Sequence, residues 1–189
     1  MAQKLKVISL GGLLEIGKNI TIFEFGSDII IVDVGVSFPD DDMFGIDLVI
    51  PDFSYIVANR KKVRGIFLTH GHEDHIGAIP FLLDEISAPI YTTRLTAALV
   101  EHKLSEKHPA NPVDINVVEP GDVVESGCFS VEFINVNHSI ADSCALAIKS
   151  PSPKGPVKGK AIKHFSPSES ISEIPAAKNP TVCSVSVSV

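Results

Sequence analysis

The apolar positions of the first 149 residues fall into short runs of strand or helix length, separated by loops rich in glycine, proline or acid. Leu5–Ser9, Ile20–Phe25 and Asp28–Val32 read as strands, and Gly26-Ser27 between the last two predicts a hairpin. Gly11-Gly12 and Gly17 punctuate the first loop. A second loop, Asp33 to Asp52, is acidic and long for a compact domain, a property more often tied to function than to packing. Val63–Leu68 reads as a buried strand. Asp74–Leu83 reads as a helix with Ile76, Ile79, Leu82 and Leu83 on one face, and Pro80 inside it is a point of kinking or shortening. Ile90–Thr92 is a strand, and Thr93 is the expected N-cap of a helix over Arg94–Ser105. Strands at Ile115–Val118, Val123–Val124, Phe129–Val136 and Ala145–Lys149 complete an α/β domain over residues 1–149.

The pattern changes after residue 149. Residues 150–189 hold nine serines and six prolines with few large apolar side chains, which predicts a flexible tail. The closing Ser184-Val185-Ser186-Val187-Ser188-Val189 alternates as a strand would, so a short terminal strand is the alternative. Charge changes at the same place: the net charge of −7 is made of −10 in residues 1–149 and +3 in residues 150–189. An acidic body argues mildly against a generic nucleic-acid binder, which needs clustered Lys and Arg, and suits a protein that holds divalent cations. No apolar run approaches the roughly 18 residues of a membrane span, and the first residues lack the pattern of a secretory signal. Three scattered cysteines, Cys128, Cys144 and Cys183, form no metal pair or disulfide framework. The expectation is a cytoplasmic chain with reduced thiols.

The chemistry concentrates in His70-Gly71-His72-Glu73-Asp74-His75, where an apolar strand ends and a helix begins. Neutral imidazoles and a carboxylate are ligands for Zn²⁺ or Mn²⁺. His70 and His72, two apart, are placed to grip one ion, and Asp74 and His75 a second, with the helix N-terminus favouring the ionised Asp74. Glu73 is expected to face solvent. One loop cannot complete a site, and the further ligand indicated is His138, at the end of the apolar run Phe129–Val136. Asp33, ending the strand Asp28–Val32, is placed either to orient the metal loop from behind or simply to end the strand in a turn. His102 and His108 read as surface residues, and His164 carries no assignment.

The HxHxDH loop after a strand, the later strand-end histidine and the earlier strand-end aspartate together resemble the metallo-β-lactamase superfamily, which implies an αβ/βα sandwich with metals at the edge where two sheets meet. The flanking segments narrow this. Gly11-Gly12-Leu13-Leu14-Glu15-Ile16-Gly17-Lys18-Asn19, Val32-Asp33-Val34-Gly35-Val36-Ser37-Phe38-Pro39, Gly45-Ile46-Asp47-Leu48-Val49-Ile50-Pro51-Asp52, the extended Thr69–Pro80 stretch and Asn137–Ser143 resemble the ribonuclease J family of the β-CASP group, over about residues 5–149. The resemblance implies one ion on His70, His72 and His138 and a second on Asp74 and His75. It also implies RNA as the partner and hydrolysis of a phosphodiester from the 5′ end or internally, with two ions, zinc first and manganese second, activating water that Asp74 helps position. The substrate-binding residues are not named by any motif.

The chain departs from the family after residue 149. The family's HTGD-like motif, whose aspartate bridges both ions, is absent, and no aspartate follows Asp142. Neither the β-CASP insertion nor the C-terminal domain fits in what remains. The expectations are an incomplete sandwich with an incomplete second metal site, weak or absent activity, and a tail that reads as the product of a frameshift or truncation. Two other functions stand beside the nuclease. One is a metal-binding fragment that forms a homo-oligomer or associates with a full-length relative through an open sheet; the other is a small-molecule hydrolase of the same superfamily, a thioesterase or lactonase.

Overall fold

A computed structural model describes residues 4–107 and 113–151 and, as backbone, the strand at 182–187. Its first sheet has six strands in sequence order: β1 (Lys6–Gly11), β2 (Ile20–Phe25), β3 (Asp28–Val32), β4 (Val63–Phe67), β5 (Ile90–Thr92) and β6 (Ile115–Val117). The first three are antiparallel, and β3 to β6 run parallel. Helices α1 (Ser54–Ala58), α2 (Glu73–Ile76), α3 (Ile79–Glu85) and α4 (Arg94–Lys107) lie in the connections. The second sheet is antiparallel, in the order β10 (Val182–Val187), β9 (Cys144–Pro151), β8 (Phe129–Asn135) and β7 (Val123–Ser126).

The two faces of the first sheet serve two cores, because side chains alternate across a strand. Ile29, Ile31, Ile66 and Leu68 pack with Ile56, Ile79, Leu82, Val100 and Leu104 of the helices. Ile30, Val32 and Phe67 pack with Phe129, Val131, Phe133, Leu146 and Ile148 of the second sheet. The strands are buried on both sides and so read as continuous apolar runs. The order is therefore helices, sheet, sheet. Both sheets of the sandwich are present, and what the described residues lack is a helical layer on the outer face of the second sheet.

Three expectations are corrected. The predicted helix over Asp74–Leu83 is two helices, broken at Gly77-Ala78. A continuous helix would drive the Pro80 ring into the carbonyl of Ile76, whereas in the first turn of α3 proline is tolerated. The Ala78 N–H donates to Val34 O at 2.9 Å instead, and Asp74 O accepts from Asn19 N at 3.0 Å. The tail is the second correction. Backbone of Val182–Val187 pairs antiparallel with β9, from Val182 opposite Pro151 to Val187 opposite Leu146, so the terminal-strand alternative holds there. The strand β9 also runs to Pro151, past the expected boundary at 149. The rest of the predicted tail lies outside the described residues. Third, Thr93 does not cap α4 with its side chain: its Oγ1 donates to Asp142 O at 2.8 Å, and the Leu95 N–H is taken by Asp142 Oδ2 at 3.0 Å.

One buried carboxylate holds the far end of the first sheet. Glu24 in β2 is 4% exposed and accepts from Lys6 Nζ and Lys62 Nζ, each at 3.0 Å, and from the Tyr55 hydroxyl. Burial opposes ionisation, but these three donors outweigh it and bring its pKa down to about 2. The sign follows: a depressed carboxylate stabilises the fold above its unfolded pKa of about 4.5 and loses that contribution as pH falls towards 2. Glu24→Ala is expected to cost about 3 kcal/mol in urea unfolding at pH 7, and the difference from the parent should shrink below pH 4. A cost that does not change with pH would contradict this account.

Large exposed apolar side chains gather at the tips of two neighbouring loops, with Leu14, Ile16 and Phe44 each more than nine-tenths exposed. The stems of these loops are joined by Lys18 N to Val36 O at 2.9 Å.

Candidate metal centre

The strand β4 delivers Thr69 and His70 to the edge where the two sheets meet, and Cys144 N, opening β9, donates to Thr69 O at 2.9 Å. That bond brings the β8–β9 connection, residues 136–143, beside the HxHxDH loop. His70, His72 and His138 converge there, with one ligand nitrogen from each lying within 4.8 Å of the others. His70 is buried, His72 half-buried and His138 exposed. The His70 and His138 ring centroids are 4.6 Å apart, and His70 Nε2 is 3.0 Å from His72 Nδ1. Nitrogens bound tetrahedrally to zinc at 2.0–2.1 Å sit about 3.3 Å from one another. The His70–His72 spacing of 3.0 Å is close to that value and the other ligand atoms lie within 4.8 Å, so the three imidazoles fit a divalent ion with a small movement.

The supporting hydrogen bonds settle which nitrogens are free. Asp33 is buried, with a backbone φ of 58°. Its carboxylate accepts the Thr69 N–H at 2.8 Å, the Thr69 hydroxyl at 2.9 Å and His75 Nδ1 at 2.8 Å. A hydroxyl has one proton, so Thr69 Oγ1, having donated to Asp33, must accept from His70 Nδ1 at 3.0 Å. His70 then carries its proton on Nδ1 and turns a bare Nε2 towards the cleft, while Asp33 holds the Nδ1–H of His75 and leaves Nε2 as the nitrogen of that ring facing the cleft. This is the arrangement in which a carboxylate behind an imidazole fixes its ligating nitrogen. Burial, then the nearby rings of His75, His138 and His72, push the His70 pKa down to about 2, so it is neutral, as a ligand must be. Burial also dominates in lowering His138. For His75 burial opposes protonation, but the Asp33 carboxylate outweighs it and the pKa is raised.

Asp74 and His75 form the other half of the cleft, with His75 Nε2 at 3.5 Å from Asp74 Oδ2. Between them lies Asn19, whose Nδ2 is 3.0 Å from Asp74 Oδ2 and 3.1 Å from His75 Nε2. Among the described residues these two do not join a third His, Cys, Asp or Glu in a metal-sized cluster. The backbone of the loop is gripped from below: Val34 N donates to His75 O at 2.7 Å and Val36 N to Glu73 O at 3.1 Å. Gly35 sits so close that a Cβ there would lie 1.6 Å from Asp74 O, which explains the glycine. Glu73 is half-exposed as expected, yet it is paired, with Lys103 Nζ of α4 at 2.9 Å from both oxygens. His102 is exposed on α4, while His108 and His164 lie outside the described residues. Sequence reasoning assigned no role to Asn19, Thr69 or Asp142. Their partners Asp74, Asp33 and Leu95 are 55, 36 and 47 residues away, beyond the reach of local pattern. Cys128 and Cys144 are free thiols, both pushed up to about 11, chiefly by burial.

A two-sheet sandwich with helices on the first sheet and a histidine cluster at the sheet edge defines the class, and the family model of the Metallo-beta-lactamase superfamily matches residues 15–150; the chain belongs to that superfamily. Divalent metal ions are implied with it. A solved structure of a protein from Enterococcus faecalis, described as of unknown function, shares the fold with a TM-score of 0.62 at 20% identity, over 79% of this chain and 41% of that one. Within the superfamily the sequence is most informative towards one group. It is 47% identical to ribonuclease J of Synechocystis sp. over 151 residues, 79% of this chain and 24% of the relative. It is 40% identical to ribonuclease J of Mycoplasma pneumoniae over 147 residues, 77% of this chain and 26% of the relative. The chain thus spans about a quarter of the length of the curated relatives it matches.

Proposed function

We propose that this chain carries the metal-binding part of a cytoplasmic, ribonuclease J-type hydrolase that cleaves phosphodiester bonds in RNA. The observation that carries the reading is the convergence of His70, His72 and His138, two of them on one loop and the third reaching it from the β8–β9 connection. In this reading those three hold one ion, zinc by the preference of an all-imidazole set, with manganese as the alternative. Asp74 and His75 supply two donors to a second ion. Bound divalent ions would supply positive charge against the phosphate and acidify water.

The chain's own residues do the arranging. Asp33 keeps the His75 proton on Nδ1 directly and the His70 proton on Nδ1 through Thr69. Asn19 holds the Asp74 carboxylate towards His75. Asp74, 39% exposed, is the acid reachable by water and would position the attacking molecule. With two donors from described residues on the second ion, turnover by the 189-residue chain is expected to be weak, and a metal-binding role beside a longer relative is the second reading.

The test is metal analysis of the purified chain together with cleavage of 5′-monophosphorylated RNA. One tightly held ion per chain and slow cleavage, lost in His72→Ala, are expected. A chain that retains no zinc would sink the proposal, and hydrolysis of a thioester or lactone but not RNA would redirect it to a small-molecule substrate.

A further inference from the structure

His138 is the most exposed of the three histidines, and it is the third residue of an eight-residue connection. Something other than burial must hold that connection over the cleft. The Val136 N–H reaches Ser143 O at 3.2 Å and Ser143 Oγ reaches Ile140 O at 2.9 Å, which closes the connection on itself. Among the described residues it meets the rest of the molecule by side-chain hydrogen bonding only beyond His138, and there Asp142 makes two contacts at the start of α4. Its carboxylate Oδ2 takes the Leu95 N–H at 3.0 Å, and its carbonyl takes the Thr93 hydroxyl at 2.8 Å. Both are possible because Asp142 adopts a backbone φ of 68°, in the left-handed region that aspartate enters more readily than most residues.

We infer that Asp142 is a positioning residue for the metal centre: it latches the His138 connection to the first turn of α4 and so sets the reach of the third imidazole. The inference rests on the metal-binding reading above for its functional consequence, but the latch itself is a statement about the metal-free chain. The same bond satisfies one of the open N–H groups at the helix start. The element after β5 and the element before β9 are thereby fixed to each other across 47 residues of sequence.

Three substitutions separate the contributions. Asp142→Asn keeps an oxygen acceptor and tolerates the positive φ. Asp142→Gly keeps the φ and loses the acceptor. Asp142→Ala loses the acceptor and disfavours the φ. Two readouts are taken on each full chain: zinc affinity by competition with a chromogenic chelator, and amide hydrogen exchange of residues 136–143 without metal. Losing a group hydrogen-bonded directly to a metal ligand weakens binding by about 10- to 100-fold, and Asp142, which acts on His138 through the backbone, is expected at the lower end of that range. The expected order of affinity is parent, then Asn, then Gly, with Ala weakest by at least about 10-fold, and the same order of exchange protection. If Ala matches the parent in exchange protection, or Asn is as damaging as Ala in both readouts, the latch is wrong. If the parent itself takes up no zinc, the functional reading fails, and the exchange data still decide whether Asp142 holds the connection.

Discussion

Replacing His70 by alanine is expected to weaken zinc binding by more than about 100-fold, beyond the range for losing an outer partner of a ligand. His70 is the central member of the cluster: its ring lies 4.7 Å from that of His72 and 4.6 Å from that of His138. It is also the candidate ligand with the least freedom, being fully buried and hydrogen-bonded through Thr69 to Asp33. The substitution should act through the lost donor rather than through unfolding, which far-ultraviolet circular dichroism and a urea midpoint near that of the parent would show. Equilibrium dialysis against zinc is the deciding measurement, and an affinity within a few-fold of the parent would remove His70 from the site. The same histidine gives the metal-free chain an acid sensitivity. Its folded pKa of about 2 lies below the ordinary 6.5, so the unfolded chain binds the extra proton between those values. Stability is therefore highest above pH 6.5 on this account and declines as pH falls towards 2.

Asp33→Ala is expected to destabilise the fold by about 3–5 kcal/mol, the range for removing one partner of a buried charged pair. Three donors converge on this carboxylate, from the Thr69 backbone, the Thr69 hydroxyl and His75 Nδ1. Alanine would leave them buried without an acceptor and would hold a φ of 58° that aspartate adopts more readily than alanine. The effect should reach the metal centre as well, because His75 loses the acceptor of its Nδ1–H and the Thr69 hydroxyl that holds His70 Nδ1 loses its own anchor. Urea unfolding measures the first effect, and zinc dialysis of Asp33→Asn, which keeps one acceptor oxygen, measures the second at smaller loss of stability. A destabilisation below about 1 kcal/mol, the net value of a single ordinary hydrogen bond, would show that Asp33 only ends its strand.

Strands whose apolar runs end at a clear turn or charged residue were legible to the residue. Ile20–Phe25, Asp28–Val32 and Ile90–Thr92 are observed with the expected bounds. The helix α1 went unseen, since its five residues bury only Ile56 and no periodicity can show in a span that short. The break between α2 and α3 was half legible. Pro80 announced it, but its position at Gly77 depends on Val34 and Asn19, which compete for the N–H and C=O groups a continuous helix would use. The candidate metal loop stood out in the sequence because its histidines are adjacent there, and the fold brings His70 and His72 together. His138 needed the fold to come within reach, and Asn19, Thr69 and Asp142 needed hydrogen bonds that no local pattern encodes.

The hydrogen bonds beneath α2 also decide where this chain can change in length. Its underside is read by the backbone of residues 18–19 and 34–36, one residue per bond, with no slack between Lys18 N–Val36 O, Asn19 N–Asp74 O and Val34 N–His75 O. One residue inserted in either stem would put the next N–H out of phase with its carbonyl and unseat Asp74 and His75 together. The tips obey no such rule. At Gly45 an added Cβ meets nothing within 4 Å, so packing does not fix the length of the outer loop, although the φ of 78° at that position still favours glycine. Divergence among chains built on this plan should accordingly collect at the loop tips and leave the spacing from Gly17 to Asn19 and from Asp33 to Val36 invariant.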